Sequence, residues 1–275
     1  MAKMTKAQRR EAARAEAERL RLEQLHRAKR NRTIAVSGIL AGIVVLAIVV
    51  VMIINGSKPK PTADGDVPSG INATNGAIVV GVGGIPGGGP NEGKPVVTVY
   101  SDFLCYWCGV FEDTHADSLA TLAEAGEVTV EYVPLATQYP GVDIDSYSTR
   151  MASDAYVVAE QAPEQYWQFV RALIGWQANP VGVPSDDVIA EIGLSVGVPA
   201  EVTDQFATPA YLDFVSANTG TAAAFAENFP EALPNGLGTP FILVDGEPLL
   251  VNWTEPGQFE AVLVEAGADL AAIGG

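Results

Sequence analysis

The stretch that decides the fold reads Val97-Thr98-Val99-Tyr100-Ser101-Asp102-Phe103-Leu104-Cys105-Tyr106-Trp107-Cys108. It begins with the β-branched run of residues 96–100, which is typical of a strand buried on both faces. The residues after it carry an apolar stripe with helical spacing, made of Phe111, His115, Leu119 and Leu122. This spacing predicts a helix that ends at Gly126. The two cysteines therefore lie where a strand leads into a helix.

Outward from this stretch, the pattern predicts an α/β domain over residues 76–275. Further strands are expected at 77–82 and 128–133, and a hairpin with the turn Asp245-Gly246 is expected from 241–244 and 248–251. A helical insertion of about 140–234 interrupts the small mixed sheet, and its helices are predicted at 152–161, 165–174, 185–192 and 215–227. A last helix is predicted from about Pro256 to Ala272. The glycine- and proline-rich loop 83–95 lacks a Lys-Ser/Thr pair, so it is not interpreted as a phosphate-binding loop.

The formal net charge of -17 conceals a division of the chain. Residues 1–32 carry eleven Lys or Arg and four Glu, whereas residues 55–275 carry five Lys or Arg and 29 Asp or Glu. Such an acidic surface repels nucleic acid and anionic lipid. Nucleic acid is therefore not expected as a partner. The simplest explanation of the acidity is that it keeps the domain soluble.

An uncharged apolar run of 21 residues, 34–54, follows Arg27, Lys29, Arg30 and Arg32. As a helix it would span roughly 30 Å, the thickness of the hydrocarbon core. We expect a transmembrane helix over residues 33–54, with a cytoplasmic basic tail, 1–32, on the side that carries the positive charges. A cleavable signal peptide is the alternative, although its apolar core is usually shorter, about 7–15 residues. Residues 55–75 are predicted to be a flexible linker.

The cysteine pair is interpreted as chemical rather than structural. A disulfide across two residues closes a very short loop, so it would stabilise the fold little. Metal binding is the other alternative, but His115 is seven residues beyond Cys108, about 10 Å along the helix, and is too far away to complete a site. We expect His115 to be a partly buried core residue, and no metal and no cofactor are predicted.

The position of the pair suggests thiol–disulfide exchange. The amide groups and the dipole at a helix N-terminus stabilise a thiolate, so Cys105 is expected to be the exposed nucleophile. Cys108, one turn later, would resolve the mixed disulfide. Tyr106 and Trp107 are predicted to supply an apolar contact surface for unfolded chains, although local packing is an equally good explanation.

Three segments in register resemble the DsbA-like family of thioredoxin-fold thiol:disulfide oxidoreductases. They are the stretch 97–108 with its helix, the aromatic run 165–174 in the helical block, and the segment Gly238-Thr239-Pro240-Phe241-Ile242-Leu243-Val244-Asp245-Gly246. The resemblance covers residues 76–272 and implies a thioredoxin-like fold with an inserted helical subdomain. It also implies that the Thr239–Pro240 bond is cis and that both residues contact substrate beside the cysteines. From the residues alone, an ordinary strand start is the alternative explanation of Thr239-Pro240.

The chain departs from the family at two points. Proline often follows the first cysteine in the family, and here the residue is Tyr106. Many members also carry a buried acidic residue in the strand before the motif, where this chain has Val97, Thr98 and Val99. Asp102 lies nearer the cysteine and is not an obvious substitute. The direction of electron flow therefore stays open at this point.

The sequence therefore predicts a membrane-anchored, extracytoplasmic oxidoreductase. Its expected partners are exported proteins with thiols or disulfides and an unidentified redox partner. Two alternatives remain: a reductase for a dedicated extracytoplasmic partner, and a scaffold module without turnover.

Overall fold

Local sequence explains where the central elements begin and end. In the computed structural model, which describes residues 66–137, 147–175 and 184–274, the β-branched run forms strand β2, Val96–Asp102. The chain then turns at residues 103–105 and enters helix α1, Tyr106–Glu124. Gly126, with a φ of 80°, ends this helix, because a left-handed residue closes the last turn through the bond from Glu127 N to Leu122 O.

The sheet has five strands in the order β1-β3-β2-β4-β5. Strands β2 and β3 are parallel, and the other neighbouring pairs are antiparallel. The strands other than β2 are β1 (Ile78–Val80), β3 (Thr129–Leu135), β4 (Phe241–Val244) and β5 (Glu247–Pro248). This arrangement places the C-terminal end of β2, where Cys105 follows, at the centre of the sheet.

The remaining helices follow β3 and β4 in the chain. Within the described residues they are α2 (Tyr147–Gln161), α3 (Tyr166–Gly175), α4 (Asp186–Ser195), α5 (Ala200–Thr203), α6 (Leu212–Ala226) and α7 (Gln258–Glu265). All but α7 lie between β3 and β4 in sequence, as expected for a helical insertion. The mixed sheet with a helical block is the thioredoxin-like plan that the sequence predicted.

Strand alternation divides the core into two clusters, one on each face of the sheet. Val97 and Val99 of β2 pack with α1 and the helical block, whereas Tyr100 of the same strand packs with the other cluster. Phe225 of α6 stacks on Tyr100, with ring centroids 6.2 Å apart. Because both faces are covered, β2 is buried along almost its whole length, as its β-branched composition predicted.

The predicted hairpin is present, but its second strand is shorter than expected. The turn residues Asp245 and Gly246 both have positive φ, of 52° and 85°, as a tight two-residue turn requires. Strand β5 covers Glu247–Pro248 rather than 248–251. In this register Val251 would lie opposite Pro240, which has no N–H to donate, so the pairing stops early.

The last helix is also shorter than predicted. It covers Gln258–Glu265 and is followed by a separate 3₁₀ turn, Leu270–Ala272, instead of running from 256 to 272. Gly267, with a φ of 106°, breaks the periodicity, and Ala268 N donates to Leu263 O in the closing turn. A glycine after the last apolar position is a helix stop that the sequence analysis overlooked.

The first part of the chain is only partly described. The predicted basic tail, the apolar run 33–54 and most of the linker lie outside the described residues. Among residues 66–137, 147–175 and 184–274, no helix is both long and apolar enough to cross a membrane. Residues 66–75 already contact the domain, because Asn72 Nδ2 donates to Glu131 Oε1 at 2.5 Å and Asn75 Nδ2 donates to Glu131 Oε2 at 2.8 Å.

Candidate active site

The chain delivers Cys105 to the first turn of α1. Asp102 ends β2, and its Oδ1 accepts from Leu104 N at 2.8 Å, which shapes the turn between strand and helix. Cys105 is extended, with φ −79° and ψ 116°, and its carbonyl accepts from Cys108 N and Gly109 N. Cys105 is therefore the N-cap residue of α1, and the free amide groups of the first turn surround its side chain.

The two thiols differ strongly in acidity. The Cys108 thiol donates a hydrogen bond to Cys105, and this is the main reason why the pKa of Cys105 falls from 9.0 to about 6. The Thr239 side chain and the backbone amides of Cys108 and Trp107 lower that pKa further, against the opposing effect of burial. The helix-end position predicted from sequence thus contributes, but the neighbouring thiol contributes more.

Cys108 has the opposite property. It lies inside the domain, and burial raises its pKa well above the ordinary value, with the nearby Cys105 sulfur adding to the rise. The Ser101 hydroxyl and the backbone of Asp102 interact with it and oppose this change. At neutral pH the reduced pair therefore consists of a Cys105 thiolate and a Cys108 thiol.

The segment before β4 faces the cysteine pair. The Thr239–Pro240 peptide bond is cis, as the resemblance implied. Cys105 Sγ lies 3.0 Å from Thr239 O, although the two residues are 134 positions apart. Only 5% of Cys105 is exposed, so the expectation of an openly exposed nucleophile is wrong. The Thr239–Pro240 segment covers the sulfur, and its exposure depends on that contact.

Asp102 holds the surroundings of the pair together. It is fully buried, and its carboxylate accepts from Ser148 Oγ at 2.7 Å, Thr137 N at 2.5 Å and Thr137 Oγ1 at 3.2 Å. The Thr137 hydroxyl lies 3.4 Å from Thr239 Oγ1. Asp102 therefore joins the end of β2 to the start of α2 and to the segment beside Cys105, and it acts as a positioning residue.

The surface beside the cysteines is aromatic. Tyr106 is 69% exposed and Trp107 is 54% exposed, and their rings meet edge to face. Trp253, from the loop after β5, lies edge to face with Trp107, at a centroid distance of 6.4 Å. Sequence reasoning missed Trp253, because its position next to Trp107 depends on how the C-terminal hairpin packs against α1.

His115 belongs to the core beneath this surface. It is buried, its ring packs against Phe111 and Phe259, and its Nε2 lies 2.8 Å from Trp253 O. Its Nδ1 lies 3.6 Å from the Glu260 carboxylate. These contacts agree with the prediction of a core histidine, and His115 also fixes the loop that carries Trp253. Among the described residues, no group of three or more His, Cys, Asp or Glu side chains is arranged to hold a metal ion.

A second residue that sequence reasoning missed is Glu112. It lies one helical turn after Cys108 on the buried face of α1 and is 4% exposed. Burial raises its pKa from 4.5 to about 7, against smaller opposing effects of Tyr132 and Arg171. Its spacing of four from Cys108 was visible in the sequence, but acidic residues at helix positions are usually exposed, so nothing marked this one as buried.

The fold and the layout of the dithiol define a class of protein. A strand that delivers the first cysteine of a Cys-x-x-Cys pair to a helix N-terminus, opposite a cis-proline segment, characterises thioredoxin-fold thiol:disulfide oxidoreductases. The described domain is a thiol:disulfide oxidoreductase, and its fold and the arrangement of this site are similar to those of DsbA.

Comparison with solved structures gives the particular relatives. DsbA from Mycobacterium tuberculosis, in its reduced form, is 28% identical, with a TM-score of 0.55, and the alignment covers 72% of this chain and 95% of that one. The disulfide bond oxidoreductase DsbG from the same organism is 27% identical, with a TM-score of 0.53, over 72% and 90% of the two chains. No protein-family model matches the chain.

A further relative was found by sequence. The serine/threonine-protein kinase PknE of Mycobacterium tuberculosis is 28% identical over 177 residues, which are 61% of this chain. The chain spans only 29% of the length of that relative. The likeness therefore concerns one part of the kinase.

Proposed function

We propose that this protein introduces disulfides into exported proteins at the extracytoplasmic side of the membrane, with Cys105 and Cys108 as the catalytic residues. The observation that carries the proposal is the division of acidity in the pair. The pKa of Cys105 is lowered to about 6, whereas the pKa of Cys108 is raised. A thiolate that is stabilised in the reduced protein makes the corresponding disulfide a stronger oxidant.

The proposed reaction begins with the Cys105–Cys108 disulfide. A substrate thiolate attacks the Cys105 sulfur, the bond to Cys108 breaks, and Cys108 takes up a proton. A second substrate thiolate then attacks the substrate sulfur of the mixed disulfide. The substrate disulfide forms, and Cys105 leaves as the stabilised thiolate. The substrate is oxidised by two electrons and the enzyme dithiol is reduced, so a separate redox partner must reoxidise it.

The surface around the sulfur supports an extended polypeptide substrate. Tyr106 and Trp107 are exposed, and the half-buried Trp253 packs beside Trp107, so the three rings form an aromatic surface without charge that suits unfolded chains of varied sequence. Pro240 has no N–H, and Thr239 lies against Cys105. We propose that Thr239 and Pro240 contact the substrate backbone beside the scissile sulfur, and that the three aromatic rings contact its side chains.

The location rests on the N-terminal sequence. Residues 34–54 carry no charge, and four basic residues lie just before them, at positions 27, 29, 30 and 32. We propose a single-pass anchor over 33–54 with a cytoplasmic N-terminus. The acidic domain would then face the exported proteins that need disulfides.

The purified full-length chain tests the proposal by oxidation of a reduced, unfolded ribonuclease. We expect disulfides to form with the wild type, and the Cys105→Ser variant to be inactive. Leu194 is an exposed apolar residue on α4 of the helical block, so Leu194→Ala is the matched control and should retain activity. Ordinary activity in Cys105→Ser would contradict the assignment of that residue.

The reduction potential decides the direction. We expect a value above that of thioredoxin, about −270 mV, because the Cys105 thiolate stabilises the reduced form. A value at or below that of thioredoxin would favour the reductase alternative. If Cys108→Ala traps no mixed disulfide with any exported protein, the scaffold alternative is favoured instead.

A further inference from the structure

A buried histidine connects the active-site helix to the loop that carries Trp253. His115 of α1 is 3% exposed, and its Nε2 lies 2.8 Å from Trp253 O. Its ring also packs edge to face against the Trp253 indole, at a centroid distance of 6.2 Å. Trp253 in turn lies edge to face with Trp107 on the surface beside the cysteines. The position of one side of that surface therefore depends on His115.

The hydrogen bonds of the residues next to Trp253 are local. Asn252 Oδ1 accepts from Thr254 Oγ1 at 2.8 Å, and Asn252 O accepts from Glu255 N at 3.0 Å. These bonds shape a turn, but they do not attach it to α1. The bond between His115 and Trp253 O joins residues that are 138 positions apart, so it ties the turn to the active-site helix.

The acceptors around His115 determine which nitrogen carries the proton of the neutral ring. A backbone carbonyl only accepts, so we assign the proton to Nε2, which leaves a lone pair on Nδ1. Nδ1 lies 3.6 Å from Glu260 Oε1 of α7, which is also an acceptor. Neither His115 Nδ1 nor Glu260 Oε2 has a hydrogen-bond partner among the described residues. A second proton on the ring would satisfy Nδ1 and create an ion pair with Glu260.

Glu260 faces the ring from α7, and a second ionisable group lies on α1 itself. This group is Glu112, which is buried one helical turn before His115. The charged side chains that the other neighbouring elements contribute are paired or exposed; they are Arg171 with Asp117, Glu255 of the loop, and Asp269 after α7. A test of His115 must therefore separate its protonation from that of Glu260 and Glu112.

We propose, on the basis of the proposed function, that His115 is a positioning residue whose protonation holds Trp253 in place for polypeptide substrates. In the charged ring, Nε2–H donates to Trp253 O and Nδ1–H donates to the Glu260 carboxylate. Both bonds are then charge-assisted, and they join α1, α7 and the loop. An indole that is fixed before the substrate arrives reduces the entropy lost on binding. Unfolded chains should therefore bind more tightly as the pH falls through the range in which histidine titrates, pH 8 to 5.

Substrate binding can be measured apart from the thiol chemistry. In the full-length chain, the double substitution Cys105→Ser and Cys108→Ser removes both thiols, so that only association remains. The probe is a fluorescently labelled peptide with blocked ends that contains aromatic and aliphatic residues but no cysteine and no ionisable side chain. Its dissociation constant, measured by fluorescence anisotropy, should fall by about fivefold between pH 8 and pH 5, the lower end of the usual coupling between two binding sites.

Three substitutions in this background separate the contacts of the ring. His115→Gln keeps an amide that can donate to Trp253 O but cannot become charged, so the affinity should no longer depend on pH. Glu260→Gln removes the ion-pair partner and should also abolish the dependence. Glu265→Gln is the matched control, because Glu265 is an exposed carboxylate on the same helix, and it should keep the full pH dependence.

The proton on the ring can be followed directly by NMR. The chain contains two histidines, His26 and His115, so a His26→Gln variant assigns both imidazole signals. Linked binding equilibria are reciprocal, so a saturating concentration of the peptide should move the His115 signal toward its protonated position at a fixed pH. The His26 signal should not move. A His115 signal that does not respond to the peptide would overturn the coupling.

The outcomes separate this proposal from the proposed function. A peptide affinity that does not depend on pH, or a full pH dependence in His115→Gln, would overturn the role of His115, while the intact dithiol could still oxidise ribonuclease. Loss of the dependence in Glu112→Gln but not in Glu260→Gln would assign the proton to Glu112 and would also reject the proposal. Failure to oxidise ribonuclease despite pH-dependent binding would overturn the proposed function alone. Should His115→Gln fail to fold, Glu260→Gln carries the test, because Glu260 is only partly buried.

Discussion

At the scale of single residues, the site depends on a contact between two distant parts of the chain. The Thr239 side chain lowers the pKa of Cys105, and Cys105 Sγ lies 3.0 Å from Thr239 O. Cys108 acts in the same direction from within the helix. The Cys105 thiolate is therefore stabilised from both sides of the site.

The first prediction concerns the acidity of Cys105. Its alkylation rate should follow a titration with a midpoint of about 6. Thr239→Val removes a hydroxyl that stabilises the thiolate, so the midpoint should rise. Thr208→Val, which removes an exposed hydroxyl elsewhere, should leave it unchanged. A midpoint near 9 in the wild type would contradict the proposed thiolate.

The same pKa determines how the stability of the reduced protein depends on pH. A cysteine whose pKa is depressed in the folded state stabilises the fold fully above its unfolded pKa, and this contribution is lost as the pH falls through the folded value. The reduced chain should therefore gain stability relative to the Cys105→Ser variant between about pH 6 and pH 9. Urea unfolding of both chains across this range measures the effect.

The substrate surface gives a second prediction at this scale. Trp253→Ala should slow oxidation of an unfolded protein several-fold, because the ring extends the aromatic surface beside Trp107. Reaction with glutathione should change little, since so small a molecule does not reach that ring. Leu194→Ala, on α4, is the control for loss of an exposed apolar side chain. Equal slowing of both reactions would indicate that Trp253 supports the fold rather than the substrate.

At the scale of elements, helix α2 contains a buried carboxyl group. Asp154 lies in its middle, fully buried, and neither carboxylate oxygen has a hydrogen-bond partner among the described residues. Burial raises its pKa well above 3.8, with a smaller opposing effect from Arg150. The protonated form is therefore favoured in the folded state, and ionisation at higher pH destabilises it.

The third prediction follows from this burial. Because the pKa of Asp154 is raised in the folded state, its contribution to the free energy of unfolding is complete when the pH lies below the pKa of the unfolded chain. This contribution is lost as the pH rises through the pKa of the folded state. Asp154→Asn keeps the shape of the side chain but cannot ionise. Its stability relative to the wild type should therefore be greater at pH 8 than at pH 5. Urea unfolding of both chains at pH 5 and pH 8 measures this gain, and a gain that does not depend on pH would contradict the prediction. Asp187→Asn, at the start of α4, is the control at an exposed carboxylate.

The elements also show which boundaries were predictable. Helix α1 was predictable because apolar residues four, four and three positions apart lie on one face of a helix. Strand β2 was predictable because a continuous β-branched run is typical of a buried strand. The ends of β5 and α7 did not follow in the same way. The end of β5 depends on its pairing with Pro240 across the sheet, which no local segment shows. The end of α7 depends on Gly267, a stop that was present in the sequence but was overlooked.

At the scale of the whole molecule, the described domain carries a strong excess of negative charge. Its three Lys and Arg residues are each paired with a carboxylate: Lys94 with Glu127, Arg150 with Asp186 and Arg171 with Asp117. No cation in residues 66–137, 147–175 and 184–274 therefore remains to offset the acidic surface. A field of this sign attracts positively charged polypeptides and is screened by salt.

The fourth prediction uses this charge. Two cysteine-containing peptides that differ only in Lys or Glu at flanking positions should react at different rates, with the basic peptide faster at low ionic strength. The difference should shrink as salt is added, because the interaction acts over a long range. Stopped-flow kinetics at several salt concentrations measure it. A preference that is independent of salt would point to specific contacts instead.

What the sequence by itself determined is local: the placement of Cys105 and Cys108 between a buried strand and a helix, the turn Asp245-Gly246, and the plan of sheet and helical block. These features depend on spacing and turn chemistry, which a single stretch of chain contains. Only the tertiary structure decided that Thr239 lies against Cys105, that Trp253 joins Trp107, and that Glu112 is buried below Cys108. Burial and contacts between distant residues set these relations, and neither is a property of a local segment.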